Sequence, residues 1–388
     1  MLAPLQWIVK DGACGPYLQD HAGGIVGDYL YIHGGVNISR TSTKNPCNGL
    51  FRIKVSPEIG VWTDLTSKES PALSQHACIG FLNRYLIFIG GWTGQIRTPG
   101  IHTYDVESQK WLPPALCEPL LKGFPQGAGL SAHTATEMKS IGPKNTFSAF
   151  IIGREGSLRM QRRSGNIYLL YGNLPGGDGS PSGAARYIYC EASPQLSASS
   201  RSYHSSTALS TNTLVTLGGR SDHPVELVSW SRSKDRRPST TDWPGDLVFP
   251  RGRCPLVSSL IQDIRLNKLS TARSSSSNQS CSRGHSAIPG DGGVLVTGGD
   301  GFNALVRDPL DSAYAFVYND TEKKGVLYNV GKLLNPRAYA VYGVHEIDGT
   351  AWLYGGTGPG GKAQNTLLKL ERLQADGEDQ SESNTQKH

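Results

Sequence analysis

Residues 76–91 read HACIGFLNRYLIFIGG. His76, followed by small residues, opens one short strand, and the apolar run YLIFI closes a second on the di-glycine Gly90-Gly91. The 14 residues from His76 to Gly90 are the length of two strands joined by a hairpin. The apolar run ending in glycine recurs as YLYIHGG (Gly34, Gly35), LVTLGG (Gly218, Gly219), VLVTGG (Gly298, Gly299) and AWLYGG (Gly355, Gly356). A sixth copy, FSAFIIGR, keeps Gly153 and has Arg154 as its second residue. The second positions are 56, 63, 65, 80 and 57 residues apart along the chain. His21, His133, His204 and His285 precede their copies as His76 does, and Tyr339 takes the sixth place.

After the glycines come β-rich runs such as GLFRIKV, IHTYDV, GNIYLLYG, SAYAFVY and NTLLKL, then often a tryptophan strand, VWTDL (Trp62) or KWLPP (Trp111). Six units of four short antiparallel strands are the sequence form of an all-β, six-bladed propeller. The unit resembles the kelch repeat, over about residues 5–373, and is most specific in strings such as GLSAHTAT (129–136) and QRRSGNIYLL (161–170). That resemblance implies one intracellular kelch β-propeller with a binding role. The sixth unit ends at NTLLKLERL with three strands, so the N-terminal strand 4–9 is expected to close the ring, with Trp7 in the place of Trp62 and Trp111. In the long fourth unit, Leu256, Leu260 and Ile264 recur at helical spacing, which predicts a helical insertion over 256–269 packed outside the blade.

Composition agrees with a turn-rich β protein, with 47 glycines and 23 prolines among 388 residues and only 18% charged. No run approaches the ~20 apolar residues of a membrane span, so no membrane contact is expected. The start has no basic segment followed by an apolar core, and the seven cysteines form no C-x-x-C. Free thiols and a cytoplasmic or nuclear location follow as expectations. The serine-rich stretch 270–283 and the polar tail 374–388 bury nothing apolar and read as mobile. The formal net charge is +6, with an acidic tail on a basic body, which favours acidic partners.

No G-x-S-x-G, P-loop, H-E-x-x-H or S-x-x-K pattern occurs, and no closely spaced histidine pair offers a metal site. The chain therefore reads as non-enzymatic, without metal or cofactor, and each repeat histidine as serving its own blade. GGDGFNA and GGTGPGG read as blade turns. Without an aromatic stacking platform, the basic charge makes no nucleic-acid site. In antiparallel blades the residues before each repeat histidine and after each di-glycine share one rim. The expected partner-binding residues there are Trp92, Arg154, Arg201, Arg220, Arg283 and Arg337. Arginine forks suit carboxylates or phosphates, and aromatics anchor interfaces. The expected function is that of a monomer binding a partner protein, by an acidic or phosphorylated segment, on this loop face. The alternatives are a substrate receptor of a cullin-type ubiquitin ligase and a propeller oxidase.

Overall fold

In a computed structural model of the protein, the described residues are 2–37, 45–118, 129–139, 145–153, 167–174, 186–191, 201–220, 225–229, 246–248, 250, 252–269, 273–274, 282–301 and 308–373. They form a six-bladed β-propeller of small antiparallel sheets. The first blade pairs Ala22–Val26, Tyr29–His33, Leu50–Lys54 and Thr63–Asp64 in order, and the second pairs Ala77–Phe81, Tyr85–Ile89, Ile101–Asp105 and Lys110–Trp111. The third runs Thr134–Glu137, Thr146–Ile152, Ile167–Asn173 and Arg186–Glu191, and Leu116–Glu118 joins the last of these in parallel. Ser205–Ser210, Thr213–Leu217 and Val225–Ser229 make the described part of the fourth. The fifth holds Ser286–Gly290, Gly293–Thr297, Ser312–Asn319 and Lys324–Lys332, extended by Arg273–Ser274. Not every blade is therefore the plain four-stranded unit.

Val341–Val344, Ala351–Tyr354 and Leu367–Arg372 begin the sixth blade, and Leu5–Val9 adds its outer strand antiparallel to Leu367–Arg372. Trp7 lies opposite Leu370, in the register at which Trp111 lies opposite Tyr104. Its indole donates to the Thr297 hydroxyl at 3.1 Å. The first strand of each blade touches the first strand of the next all the way round, from Ala22–Val26 to Val341–Val344 and back, so these strands line the central channel. Second strands such as Tyr85–Ile89 are buried along their whole length, because neighbouring blades cover both faces. A short uninterrupted apolar run is the sequence form of such a strand.

The recurrent histidine and di-glycine are one device. A Cβ on Gly90 (φ 66°) would stand 2.9 Å from the His133 ring, and one on Gly91 (φ 112°) would stand 2.8 Å from the Cβ of His76. The second glycine thus makes room for the histidine of its own blade and the first for the ring of the next. His76 meets Gly34, His204 meets Gly153, His285 meets Gly218 and His21 meets Gly355 in the same way. Each histidine therefore joins two blades, which corrects the expectation that it serves only its own. In the sixth unit the residue packed against the second glycine, Gly356, is Ala340 and not Tyr339.

The fourth-unit insertion does more than cover a blade. Lys139 N–H donates to Asp246, Leu247 N–H to Thr211 and Val248 N–H to Glu137, while Cys254 N–H reaches Pro289 in the fifth blade. Gly252 passes so close to the Val344 carbonyl that a Cβ would not fit. Residues 246–248, 250 and 252–254 thereby lie across the lower end of the channel. A cavity of about 280 Å³ lies there, lined by inner-strand residues of all six blades with Val248, Pro250 and Gly252. The helix Pro255–Arg265 follows, with proline in its first turn, and ends where Asn267 turns left-handed (φ 54°). Val257, Leu260, Ile261 and Ile264 are buried with Leu5, Trp7, Ile288, Leu295, Leu353 and Leu370. The helix thus sits on the fifth and sixth blades and the N-terminal strand, rather than on the blade that carries it.

Candidate functional site

The upper face is the side where first strands begin and second strands end. The residue just before each repeat position is Asp20, Gln75, Ala132, Tyr203, Gly284 or Tyr339, and all six have positive φ, between 52° and 65°. Left-handed backbone is uncommon for residues other than glycine, and here its purpose is visible. Gln75 N–H donates to Asp20 at 2.9 Å, Ala132 to Gln75 at 2.8 Å, Tyr203 to Ala132 at 2.8 Å, Gly284 to Tyr203 at 2.9 Å, Tyr339 to Gly284 at 2.7 Å and Asp20 to Tyr339 at 3.3 Å. Six backbone bonds close a circle around the upper mouth of the channel and hold six residues at fixed places on its rim.

Aromatic and cationic groups gather on and beside that circle. The Tyr203 and Tyr339 rings meet edge-on at 5.5 Å. The exposed guanidinium of Arg220 stands 5.9 Å from the Tyr203 ring centre. Trp92, half-buried, is held by Ser74 through two backbone hydrogen bonds, and the Arg97 guanidinium lies 5.6 Å from its ring. Arg97 Nε also donates to Ser131 Oγ at 3.0 Å, and Ile96 beside it is 60% exposed. Trp92 and Arg220 both directly follow a di-glycine. Val36, Asp300 and Thr357 occupy that position in other blades and are buried. The second and fourth blades therefore use for projecting side chains a place the first, fifth and sixth use for packing.

Of the expected binding residues, the structure brings Trp92 and Arg220 to the surface and turns three arginines inward. The Arg201 side chain is 0% exposed, donating to Glu226 Oε2 at 3.0 Å and to the Gly218 carbonyl at 3.2 Å. Arg283, with 17% of its side chain exposed, donates to Asp300 Oδ2 at 2.7 Å, and the Tyr339 hydroxyl donates to the same oxygen at 3.1 Å. Burial, with the Asp300 carboxylate added, holds the Tyr339 phenol far above its usual range against the pull of Arg283, so it remains a donor. Arg337 is 6% exposed. Arg154 lies outside the described residues, as do 270–272, 275–281 and 374–388. Asp20 and Gln75 were missed from the sequence, although their place immediately before a repeat histidine marks them.

Among the described residues no three His, Cys, Asp or Glu side chains gather as metal ligands. None of the helices there is long and apolar enough to cross a membrane.

No protein-family model matches the chain. It is 34% identical over 118 residues to Kelch domain-containing protein 9 of Mus musculus, covering 29% of this chain and 30% of that protein. The Homo sapiens protein of the same name is 32% identical over the same length. The matched segment thus spans less than a third of these relatives. The solved structure of YjhT superimposes with a TM-score of 0.54 at 12% identity, over 93% of this chain and 99% of the other. The fold is a six-bladed β-propeller. In this propeller the di-glycine and histidine of the repeat are absorbed by blade-to-blade packing, and the residues that vary between blades give the upper face its exposed groups.

Proposed function

We propose that this kelch propeller is a non-enzymatic interaction module whose upper face binds an acidic or phosphorylated segment of a partner protein. The observation that carries the reading is the pairing of aromatic and cationic groups, Trp92 with Arg97 and Tyr203 with Arg220, beside a backbone circle that fixes Tyr203, with Trp92 held by two backbone hydrogen bonds to Ser74. Aromatic and arginine side chains fixed on a stiff scaffold lose little entropy on binding and supply most interface energy. At the lower end of the channel residues 246–248, 250 and 252–254 of the chain itself occupy part of the space between the blades, which favours the upper face for a partner.

The test is affinity capture from cells with three baits of equal thermal stability: the native chain, Trp92→Ala with Arg220→Glu, and Ile347→Asp on the lower face. Partners held by the upper face should be recovered with the native chain and with Ile347→Asp, and fall at least about tenfold with the double variant, the loss expected from about 1.4 kcal/mol. Recovery of the same proteins in the same yield with all three baits rules the upper face out.

A further inference from the structure

The third residue before each repeat position is Leu18, Leu73, Leu130, Arg201, Ser282 or Arg337. Its carbonyl accepts the N–H of the preceding blade's second glycine, as Gly35 donates to Leu73, Gly91 to Leu130, Gly219 to Ser282, Gly299 to Arg337 and Gly356 to Leu18. A backbone pinned in this way sends the side chain to corresponding places in successive blades. Leu18, Leu73 and Leu130 fill it with hydrocarbon and are buried.

Arg201 fills it with a guanidinium neutralised by Glu226. Glu226 follows Val225, which pairs with Leu217, the residue before Gly218. In the sixth blade Leu367 pairs with Tyr354, the residue before Gly355, so Leu368 stands where the fourth blade has its carboxylate. Arg337 is left with neutral acceptors: Nη1 donates to the Pro336 carbonyl at 3.2 Å and Nη2 to Thr366 Oγ1 at 3.1 Å. Its Nε is buried without a hydrogen bond, and no described carboxylate pairs with it. Burial alone draws its pKa down to about 10. An unneutralised buried cation is costly, and three other blades show that leucine suits the position. Lys362, exposed in the loop that also carries Thr366, adds positive charge at the same upper edge.

We infer that Arg337 is an anion site at the upper edge of the sixth blade, between the loops of Pro336 and Thr366, that takes a carboxylate from the partner's acidic segment. The inference rests on the upper face being the binding face, and it names the chemistry recognised there. The Arg337 fork offers the donors, and the incoming carboxylate supplies what Glu226 supplies to Arg201.

The experiment is thermal unfolding of the full chain in low-salt neutral buffer with sodium glutarate, sodium phosphate or sodium chloride at equal ionic strength. Glutarate should raise the native Tm by about 2 °C over chloride, the linkage expected at roughly ten times Kd. Arg337→Leu should unfold at or above the native Tm without glutarate and gain nothing from it. Thr366→Glu, which places a carboxylate within the chain, should raise the Tm and abolish the glutarate response, and this variant decides the matter if Arg337→Leu does not fold. A glutarate response that survives in Thr366→Glu or Arg337→Leu overturns the site, and a response to phosphate without glutarate overturns the carboxylate assignment. No partner is needed for these measurements, so the anion site fails alone if the capture result with Trp92 and Arg220 stands. The partner reading fails alone in the reverse case.

Discussion

Arg201 and Arg337 occupy one position of the repeat, and their surroundings give them opposite thermodynamic characters. Arg201 is bound to Glu226, so removing the cation takes from a partly buried carboxylate the guanidinium that faces it. Losing one member of such a pair costs about 3 kcal/mol. Arg201→Leu should therefore lower the Tm by roughly 4 °C in calorimetry, although leucine suits this site in three other blades. A change under about 1 °C would mean that Glu226 finds solvent and the pair contributes little. The sequence placed both arginines correctly along the chain but not their direction. Tyr203 (φ 57°) and Tyr339 (φ 58°) turn left-handed two residues later, and nothing in a tyrosine announces that turn. The projecting residues, Trp92 and Arg220, were legible because the di-glycine before them fixes where the strand ends.

Two elements tie the circle shut, and their signals in the sequence differ in kind. Leu5–Val9 bears Trp7, whose recurrence with Trp62 and Trp111 marks the register of the strand from residue types alone. Trp7 is buried in the cluster shared by the fifth and sixth blades and the helix. Trp7→Ala should cost about 4 kcal/mol, the usual loss for a large aromatic in a packed core. Chemical denaturation would read that loss as a lower midpoint at constant slope, and an unmoved midpoint would show the strand to be peripheral. The helix Pro255–Arg265 is equally visible through its apolar stripe, but a stripe says only that one face is covered, not by what. Its seat follows from the stretch 246–254, which has no periodicity. That stretch is held by backbone hydrogen bonds to Glu137, Thr211 and Pro289, which no residue type encodes.

Over the whole molecule, the blades are joined by the hydrogen-bond circle and by a ring of imidazoles just below it, and the second makes the fold sensitive to acid. Burial draws His21 and His285 down to about 4 and His133 down to about 3, and holds His76 and His204 well below the usual 6.5. His33, whose Nδ1 lies 3.0 Å from His76 Nε2, is drawn down to about 3 by burial, reinforced by His102. These groups are neutral in the folded chain and titrate near 6.5 once unfolded, so between about 6.5 and 4 the unfolded state binds more protons. The stability they contribute is complete above pH 6.5 and is lost as pH falls through that window. At pH 5 His21, His285, His133 and His33 each forfeit about 2 kcal/mol. These four together reach about 8 kcal/mol, comparable with the whole stability of a folded domain. The Tm should therefore hold from pH 8 to 7 and drop by roughly 10 °C by pH 5. His133 has neither ring nitrogen hydrogen-bonded, so His133→Leu should reduce the acid slope by one histidine's share while leaving the Tm at pH 8 nearly as it was. A Tm that stays level down to pH 5 would mean that the imidazoles are hydrated in solution, and the account of blade-to-blade packing would fall with it.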